Sequence, residues 1–468
     1  MSISRFSLIA TIDNSNGLSK NCQHPWHYQS VTKFFKEITT GKGRNAVIMG
    51  RVTYEMIPQE ARPLPDRHNI VISREWRQED HLDISVYPSI IEALYKTGIK
   101  CNTYDNVIIM GGERIFQEVL NNYMYLCDRV YITKLKSDFS CDQYFDWDLV
   151  KNYPLAREPI KTKEYTRYEF IPNIKHPEDQ YISMIKNVCD YGEVSNHNDK
   201  PINVIFKPAT FSFDYVSLGD KMMVPIFTTN HLNYDNIIHK LIFMLSGKTD
   251  TKIAEDMGVL DWADITSHDS LKNLGFDWED GDVGPYEGFQ WRHFGSDYDG
   301  FGANYFGFDQ IKHLVDNIKS NPKGEHLLTS YNPSVLNKVL PGAEQTFIQF
   351  YVSNNQKYID CNLTKTSNDL LYMPNDIFMY YLLFIMIAHV TNNIPRHFNY
   401  TVNKLYANSN YIELFSKLSK RTPKPLPHMS LRNGARLHEI DQFNRNNIVI
   451  SNYSSWHHLG PVLSVSRK

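Results

Sequence analysis

Four short β-rich runs in the first third of the chain each stop at a small or turn-forming residue, and helical stretches separate them. The runs are FSLIATI, NAVIMG, HNIVIS and NVIIMGG. Between them, SVTKFFKEITTGK and SIIEALYKTG carry apolar residues at helical spacing. This alternation restricts the region to an α/β sheet with crossover helices, because parallel strands cannot be joined by a tight turn. RVYITKL and YTRYEFIP then read as late, antiparallel strands. A polar join, Asn173 to Lys175, follows Pro172, and HPEDQYISMIKNV opens like a helix with Pro and acids in its first turn. The expected organisation is one domain over 1–172, a linker over 173–175 and a second domain over 176–468. Length alone suggests about three domains; the motifs resolve two, the second simply large.

Composition narrows the function classes. Hydrophobic residues at 42% and aromatic residues at 13% supply sizeable cores. A net charge of -3 gives no electrostatic reason to expect nucleic acid or an anionic membrane as partner. The most apolar run, Ile377 to Ala388, falls short of a bilayer core of roughly 30 Å and is expected as a buried core helix, not a membrane insertion. The six cysteines (Cys22, Cys101, Cys127, Cys141, Cys189 and Cys361) form no CxxC pair or Cys/His cluster, so neither a metal site nor a disulfide framework is expected. The opening residues show no apolar or Arg-rich targeting pattern. A cytoplasmic location is the default expectation, with an organellar assembly left open.

Three strand ends carry residues suited to a nucleotide. Gly50, Arg51 and Thr53 follow a strand and open a helix, offering backbone N–H groups and a cation to phosphate. Ser73 and Arg74 end a second strand, and Gly111 and Gly112 end a third, where a missing Cβ lets a ligand approach the backbone. Recurrence at strand ends matters because open α/β sheets bind ligands there.

SLIATIDNSNGLSKN, HPWH, NAVIMGRVTYEMIP, RPLPDRHNIVISR, VIIMGGERIF and DRVYITKL resemble dihydrofolate reductase, in order, across about residues 1–172. GDVGPYEGFQWRHFG, with PIFTT, NPSVLNKVLPG, QFYVSN and FMYYLLFIMIAHVT, resembles thymidylate synthase across about residues 176–468. Together they resemble the bifunctional enzyme that fuses both. The resemblance implies a reductase-like mixed sheet with flanking helices, followed by an α+β synthase-like domain. It implies that Gly50, Arg51, Thr53, Ser73, Arg74, Gly111 and Gly112 line an NADPH site, with Thr11 and Leu18 beside the nicotinamide. It implies that Arg67 faces the glutamate carboxylate of folate, Phe35, Ile57 and Leu64 pack its rings, and Thr133 lies behind the pterin.

Measured against the resemblance, the catalytic positions depart. The reductase acid, tied to protonation at pterin N5, falls on Val31, and HYQSVTKF between Trp26 and Phe35 holds no Asp or Glu. His24 stands at the apolar lid position before Pro-Trp. The synthase nucleophile, a cysteine five residues before the Gln of QFYV, falls on Glu344, and no Cys lies between Cys189 and Cys361. The dUMP phosphate arginines fall on Glu325, His326, Thr366 and near Lys200. Arg holds phosphate through a bidentate cationic fork that none of these reproduces. The folate-side Glu falls on Lys240, the Asn after the Trp turn on Ile265, the Tyr of GPVYGFQW on Glu287, and the His of the His-x-Tyr pair on Lys404, although Tyr406 remains.

The expectation is a pseudoenzyme with a structural or interaction role, without synthase activity and with reductase activity in doubt. The alternatives are an NADPH-dependent reductase with a silent synthase half, and an NADPH-binding sensor without turnover. The resemblance implies a homodimer, or a heterodimer with a paralogue, through the synthase-like domain. Membership of a larger assembly is a further expectation.

Overall fold

The computed structural model describes residues 4–99, 103–197, 200–205, 207–215, 217–218, 221–340, 345–432 and 439–459. They divide into two compact units, Met1–His176 and Pro177–Lys468.

Unit one contains β1 (Phe6–Ile12), β2 (Gly17–Ser19), α1 (Gln29–Thr40), β3 (Asn45–Gly50), α2 (Arg51–Met56), β4 (Arg67–Ile72) and β5 (Ser85–Tyr87). Then come α3 (Ile90–Ile99), β6 (Val107–Ile109), α4 (Glu113–Asn122), β7 (Cys127–Leu135), β8 (Gln143–Tyr144), β9 (Ile160–Lys161) and β10 (Tyr165–Phe170). The main sheet has the order β5-β4-β3-β6-β1-β7-β10-β9. The first six are parallel; β10 runs antiparallel to β7, and β9 to β10. The inner strands are apolar without alternation because both sheet faces are covered. Along β3, Ala46 and Ile48 enter one core while Val47 and Met49 enter the other. β1 divides in the same way, with Leu8 and Ala10 opposite Ile9.

Unit two is built around the helix Met373–Val390. The helix extends beyond the expected Ile377–Ala388 and, at 18 residues, is long and apolar enough to cross a membrane by composition. Its side chains are instead packed into the core, from Met373 through Ile377 and Phe384 to Val390. Each fully buried Leu, Ile or Phe there contributes on the order of 1.5–3 kcal/mol. Beside it lies a five-stranded sheet in the order 209–214, 394–402, 358–365, 346–352, 326–329. The strand Thr346–Val352 alternates: Ile348, Phe350 and Val352 are buried, while Phe347, Gln349 and Tyr351 are exposed. One face of this sheet therefore covers the core and the other carries apolar side chains outward.

One expectation at the start of unit two needs correction. The helix begins at Asp179, so Glu178 precedes it instead of sitting in its first turn. Glu178 is fully buried and accepts hydrogen bonds from the backbone N–H groups of Thr228 and Thr229 at 2.9 and 2.8 Å and from both hydroxyls. A buried carboxylate persists when donors replace its hydration, and here four do.

Candidate functional site

In unit one the expected cofactor residues converge. The Gly50 N–H donates to Gly111 O at 2.8 Å, tying the ends of β3 and β6 together. The Gly111–Gly112 peptide is cis, and Gly111 has φ +122, in the region that favours glycine. A Cβ on Gly112 would lie 2.9 Å from Thr53 Oγ1, and one on Gly50 would lie 3.3 Å from Ile115 Cγ1. Both glycines also precede a helix, α2 and α4, so N–H groups from two helix starts face one cradle. Arg51 is less available than the sequence suggests: its guanidinium pairs with Glu55 at 3.1 Å and Glu75 at 3.3 Å. Ser73 accepts from the N–H groups of Glu75 and Trp76, holding the turn after β4, and Arg74 is exposed beside it. Thr11 pairs in register with Thr133 across β1 and β7, and Leu18 is buried on β2.

The folate-side residues divide between two environments. Phe35, Ile57 and Leu64 are half-buried against one cluster containing Val47, Met49 and Val71. Arg67 donates to Thr39 Oγ1 on α1 and to Pro65 O at 2.9 Å, and burial lowers its pKa. Val31 is buried in a different, mainly apolar cluster with Trp26, Leu135, Cys141 and Tyr165. A methyl-bearing side chain satisfies that cluster by packing alone; a carboxylate there would have only the Trp26 indole N–H, the Cys141 thiol and the Tyr165 hydroxyl as side-chain donors in place of water. His24 is exposed, with Nδ1 3.2 Å from Leu18 O.

In unit two, Lys240 and Glu287 belong to separate polar groups that satisfy themselves, with a third at Lys365 and Asp376. Glu287 accepts from Tyr380 OH at 2.8 Å to both carboxylate oxygens and from Thr346 Oγ1. Burial raises its pKa, opposed first by the charge of Lys365 and then by these hydroxyls. Lys365 Nζ pairs with Asp376 at 2.6 Å, and Asp376 also accepts from Asn368 at 2.9 Å. Lys240 pairs with Asp261 at 2.8 Å and lies 5.2 Å from the Trp262 ring. Burial alone would lower the Lys240 pKa, but Asp261 and Asp376 more than offset it and hold it above the ordinary value. Two cations thus meet two carboxylates as pairs, and Glu287 is the surplus acid, shifted toward its neutral form.

Among the described side chains, the positions that the resemblance assigns to the phosphate arginines form no cationic clamp. His326 is buried, with Nδ1 3.2 Å from Asn317 and Nε2 3.3 Å from Pro322 O, and Glu325 is exposed. Thr366 is exposed, its N–H donating to Gln345 O at 3.2 Å, and Lys200 begins the strand 200–205. Ile265 is 37% exposed. Lys404 Nζ lies 5.6 Å from the Tyr406 ring. Glu344 lies outside the described residues. The surviving GFQWRHF segment is knitted into the fold: Gln290 accepts from Asn332 at 3.0 Å, and Arg292 pairs with Asp309 and Asp441.

Sequence reasoning missed Asp261, Lys365, Asp376 and Asp369. The signal was present: Asp376 is the acid in the first turn of the most apolar helix, and such a charge needs a partner. Burial pushes the Asp369 pKa up to about 6, although its carboxylate accepts the Leu371 N–H at 2.9 Å. Among the described residues no group of three or more His, Cys, Asp or Glu could hold a metal.

Comparison with known proteins matches residues 5–173 to dihydrofolate reductase and residues 179–465 to thymidylate synthase. A bifunctional dihydrofolate reductase-thymidylate synthase of Daucus carota is 29% identical, over 94% of this chain and 92% of the relative. That of Leishmania major is 29% identical over 91% and 89%, and that of Zea mays 27% identical over 91% and 90%. A dihydrofolate reductase domain implies NADPH binding, and the glycine cradle at β3 and β6, which a Cβ would crowd, fits that group. Two domains matched in this order, over nearly the whole length, make the chain a member of the bifunctional dihydrofolate reductase–thymidylate synthase family.

Proposed function

We propose that this member is a pseudoenzyme: a reductase–synthase shell that binds NADPH and serves as a structural or interaction module. It acts as a dimer or as a subunit of a larger assembly. The observation that carries the reading is the environment of Val31, buried among Trp26, Leu135 and Tyr165 where the reductase acid belongs. A positioned acid contributes on the order of 10²–10⁴ in rate, so its loss is decisive for a step that needs protonation. The synthase half supports the same reading, because Lys240 and Lys365 are committed to Asp261 and Asp376 and Glu287 stands among them. At the positions the family gives to its phosphate arginines, a dianionic nucleotide would meet the exposed Glu325 and Thr366, not a cationic fork. Thymidylate synthase domains typically dimerise, and the outward Phe347 and Tyr351 of the five-stranded sheet suit such a contact.

The test is an assay of the purified full-length chain for NADPH oxidation with dihydrofolate and for dTMP formation from dUMP. Both rates are expected at background; a family-like rate in either defeats the proposal for that half. Val31→Asp is expected to bring NADPH oxidation above background, and its failure to do so removes this position as the cause of silence. The cofactor cradle favours a second reading, in which NADPH is either turned over slowly by a working reductase half or only sensed. Calorimetric titration with NADPH, read beside the oxidation assay, divides the readings: turnover supports the reductase, binding without turnover fits the shell and the sensor alike, and no binding excludes the reductase and the sensor and removes the cofactor from the shell.

A further inference from the structure

Three segments of unit two meet at its surface: 228–231, 420–424, which follows the helix Ile412–Leu418, and 454–458. Arg421 joins them, donating to Thr229 O at 2.6 Å, to His457 O at 2.9 Å and to His457 Nε2 at 3.2 Å. Lys424 Nζ donates to Ser455 O at 2.7 Å and to Ser454 Oγ at 3.4 Å. The Trp456 indole N–H donates to Thr422 O at 2.9 Å. Both cations sit over the Trp456 ring, Arg421 at 5.5 Å and Lys424 at 5.6 Å from its centroid. Lys420, next to Arg421 in the chain, is exposed, as are His231 and His457.

The acceptors around Arg421 and Lys424 satisfy their donors and leave their charge uncancelled, because each is a neutral carbonyl, hydroxyl or imidazole. Among the described residues neither side chain forms an ion pair, and none of the three segments holds an Asp or Glu. Burial lowers the pKa of both, the charge of Arg421 lowers that of Lys424 further, and no carboxylate opposes either shift. Glu178 lies beneath Thr228 and Thr229, fully buried and held by their N–H and hydroxyl groups. Three cations against that carboxylate leave the surface positive. Residues 460–468, which follow in the sequence, add Arg467 and Lys468 and no acid.

The fork of Arg421 is spent on carbonyls, so this surface does not grip one small anion bidentately; it presents a positive field. Such a field is complementary to an extended run of negative charge. The cations lie where a nucleobase would stack on Trp456, which favours a polypeptide over a nucleic acid. We infer, resting on the interaction role proposed for this chain, that this surface docks an acidic segment of a partner protein, whose carboxylates lie along Lys420, Arg421 and Lys424.

The test is fluorescence anisotropy of a labelled decapeptide of alternating Asp and Glu, titrated with the full-length chain. Saturable binding is expected, weakened at least tenfold by Lys420→Gln/Lys424→Gln. Raising the salt should weaken wild-type binding at least tenfold as well, since exposed charges are screened. Arg421 is left in place because it ties the segments together. Lys151→Gln, in unit one, where the lysine pairs with Asp148, is expected to leave affinity within twofold. Absence of saturable binding overturns the inference, as does salt-independent binding or equal affinity for wild type and the folded double variant. Single-stranded DNA or pyrophosphate binding more tightly than the peptide overturns the assignment to an acidic protein segment. A chain that turns over at a family-like rate and binds the peptide loses the silent-shell reading and keeps this surface; a silent chain that binds no peptide loses this surface alone.

Discussion

The two pockets depart from the family's catalytic residues in opposite ways. In the reductase half a functional acid position is occupied by Val31, and the surroundings close over it as an apolar cluster. In the synthase half, charged residues remain in number but bind one another: Lys365 to Asp376, Lys240 to Asp261, and Glu287 to Tyr380 and Thr346. An apolar replacement needs only packing. A charged replacement in a low-dielectric site must bring its partner with it, since burying it alone costs far more than any hydrogen bond returns. The synthase pocket is therefore the place where single substitutions should be least tolerated.

The largest effect is expected at the most buried of these pairs. Lys365 has a side-chain exposure of 5% and Asp376 of 13%, and Asn368 and Tyr400 crowd the same carboxylate. Lys365→Met should strand Asp376 and cost about 3–5 kcal/mol, read as a shift in the urea unfolding of unit two. Val31→Ala, by contrast, removes roughly two methylene equivalents and should cost only about 1–2 kcal/mol plus any cavity term. Equal effects of the two substitutions would erase the distinction between the pockets. The double variant Lys365→Met/Asp376→Leu should recover much of the loss, because replacing both partners removes the stranded charge.

A second, smaller effect lies in the pH dependence of stability. Asp369 titrates near 6 when folded, against an ordinary aspartate value of 3.8. A carboxyl with a raised folded-state pKa leaves the native state holding the extra proton, so its contribution to stability falls as pH rises from about 4 to 6. The slope is on the order of 1.4 kcal/mol per pH unit within that window and flattens outside it. Asp369→Asn should remove that component of the slope, measured by denaturant midpoints between pH 4 and 7. A raised pKa at Glu287 acts with the same sign, so some slope should survive the substitution.

The architecture was legible because its causes are local and periodic. FSLIATI and NAVIMG declare buried parallel strands by unbroken apolarity, and the glycines at 50, 111 and 112 mark close backbone approaches that became the cradle. The absence of an acid between Trp26 and Phe35 was equally plain, because it needed no coordinates. The compensating network was not legible. Glu287 and Tyr380 lie 93 positions apart, and Lys240 and Asp261 21 apart, so no spacing rule joins them. Read singly, Lys240 and Glu287 were losses; in three dimensions each belongs to a set that satisfies itself. Arg51 went the other way: a cation offered to phosphate by its position is partly taken by Glu55 and Glu75.

The smallest expected effect tests whether burial, and not mere charge, governs the synthase pocket. Lys240 and Asp261 form an ion pair of good geometry at 2.8 Å, yet their side chains remain 25% and 27% exposed. Water screens such a pair and continues to solvate either partner when the other is lost. Lys240→Met should therefore cost less than about 1 kcal/mol, several times below Lys365→Met, and the cost should shrink further at high salt. The methionine keeps contact with the Trp262 ring, so packing changes little. A loss at Lys240 matching that at Lys365 would mean that the five charged groups act as one indivisible network, and that the exposed pair is as essential to the fold as the buried one.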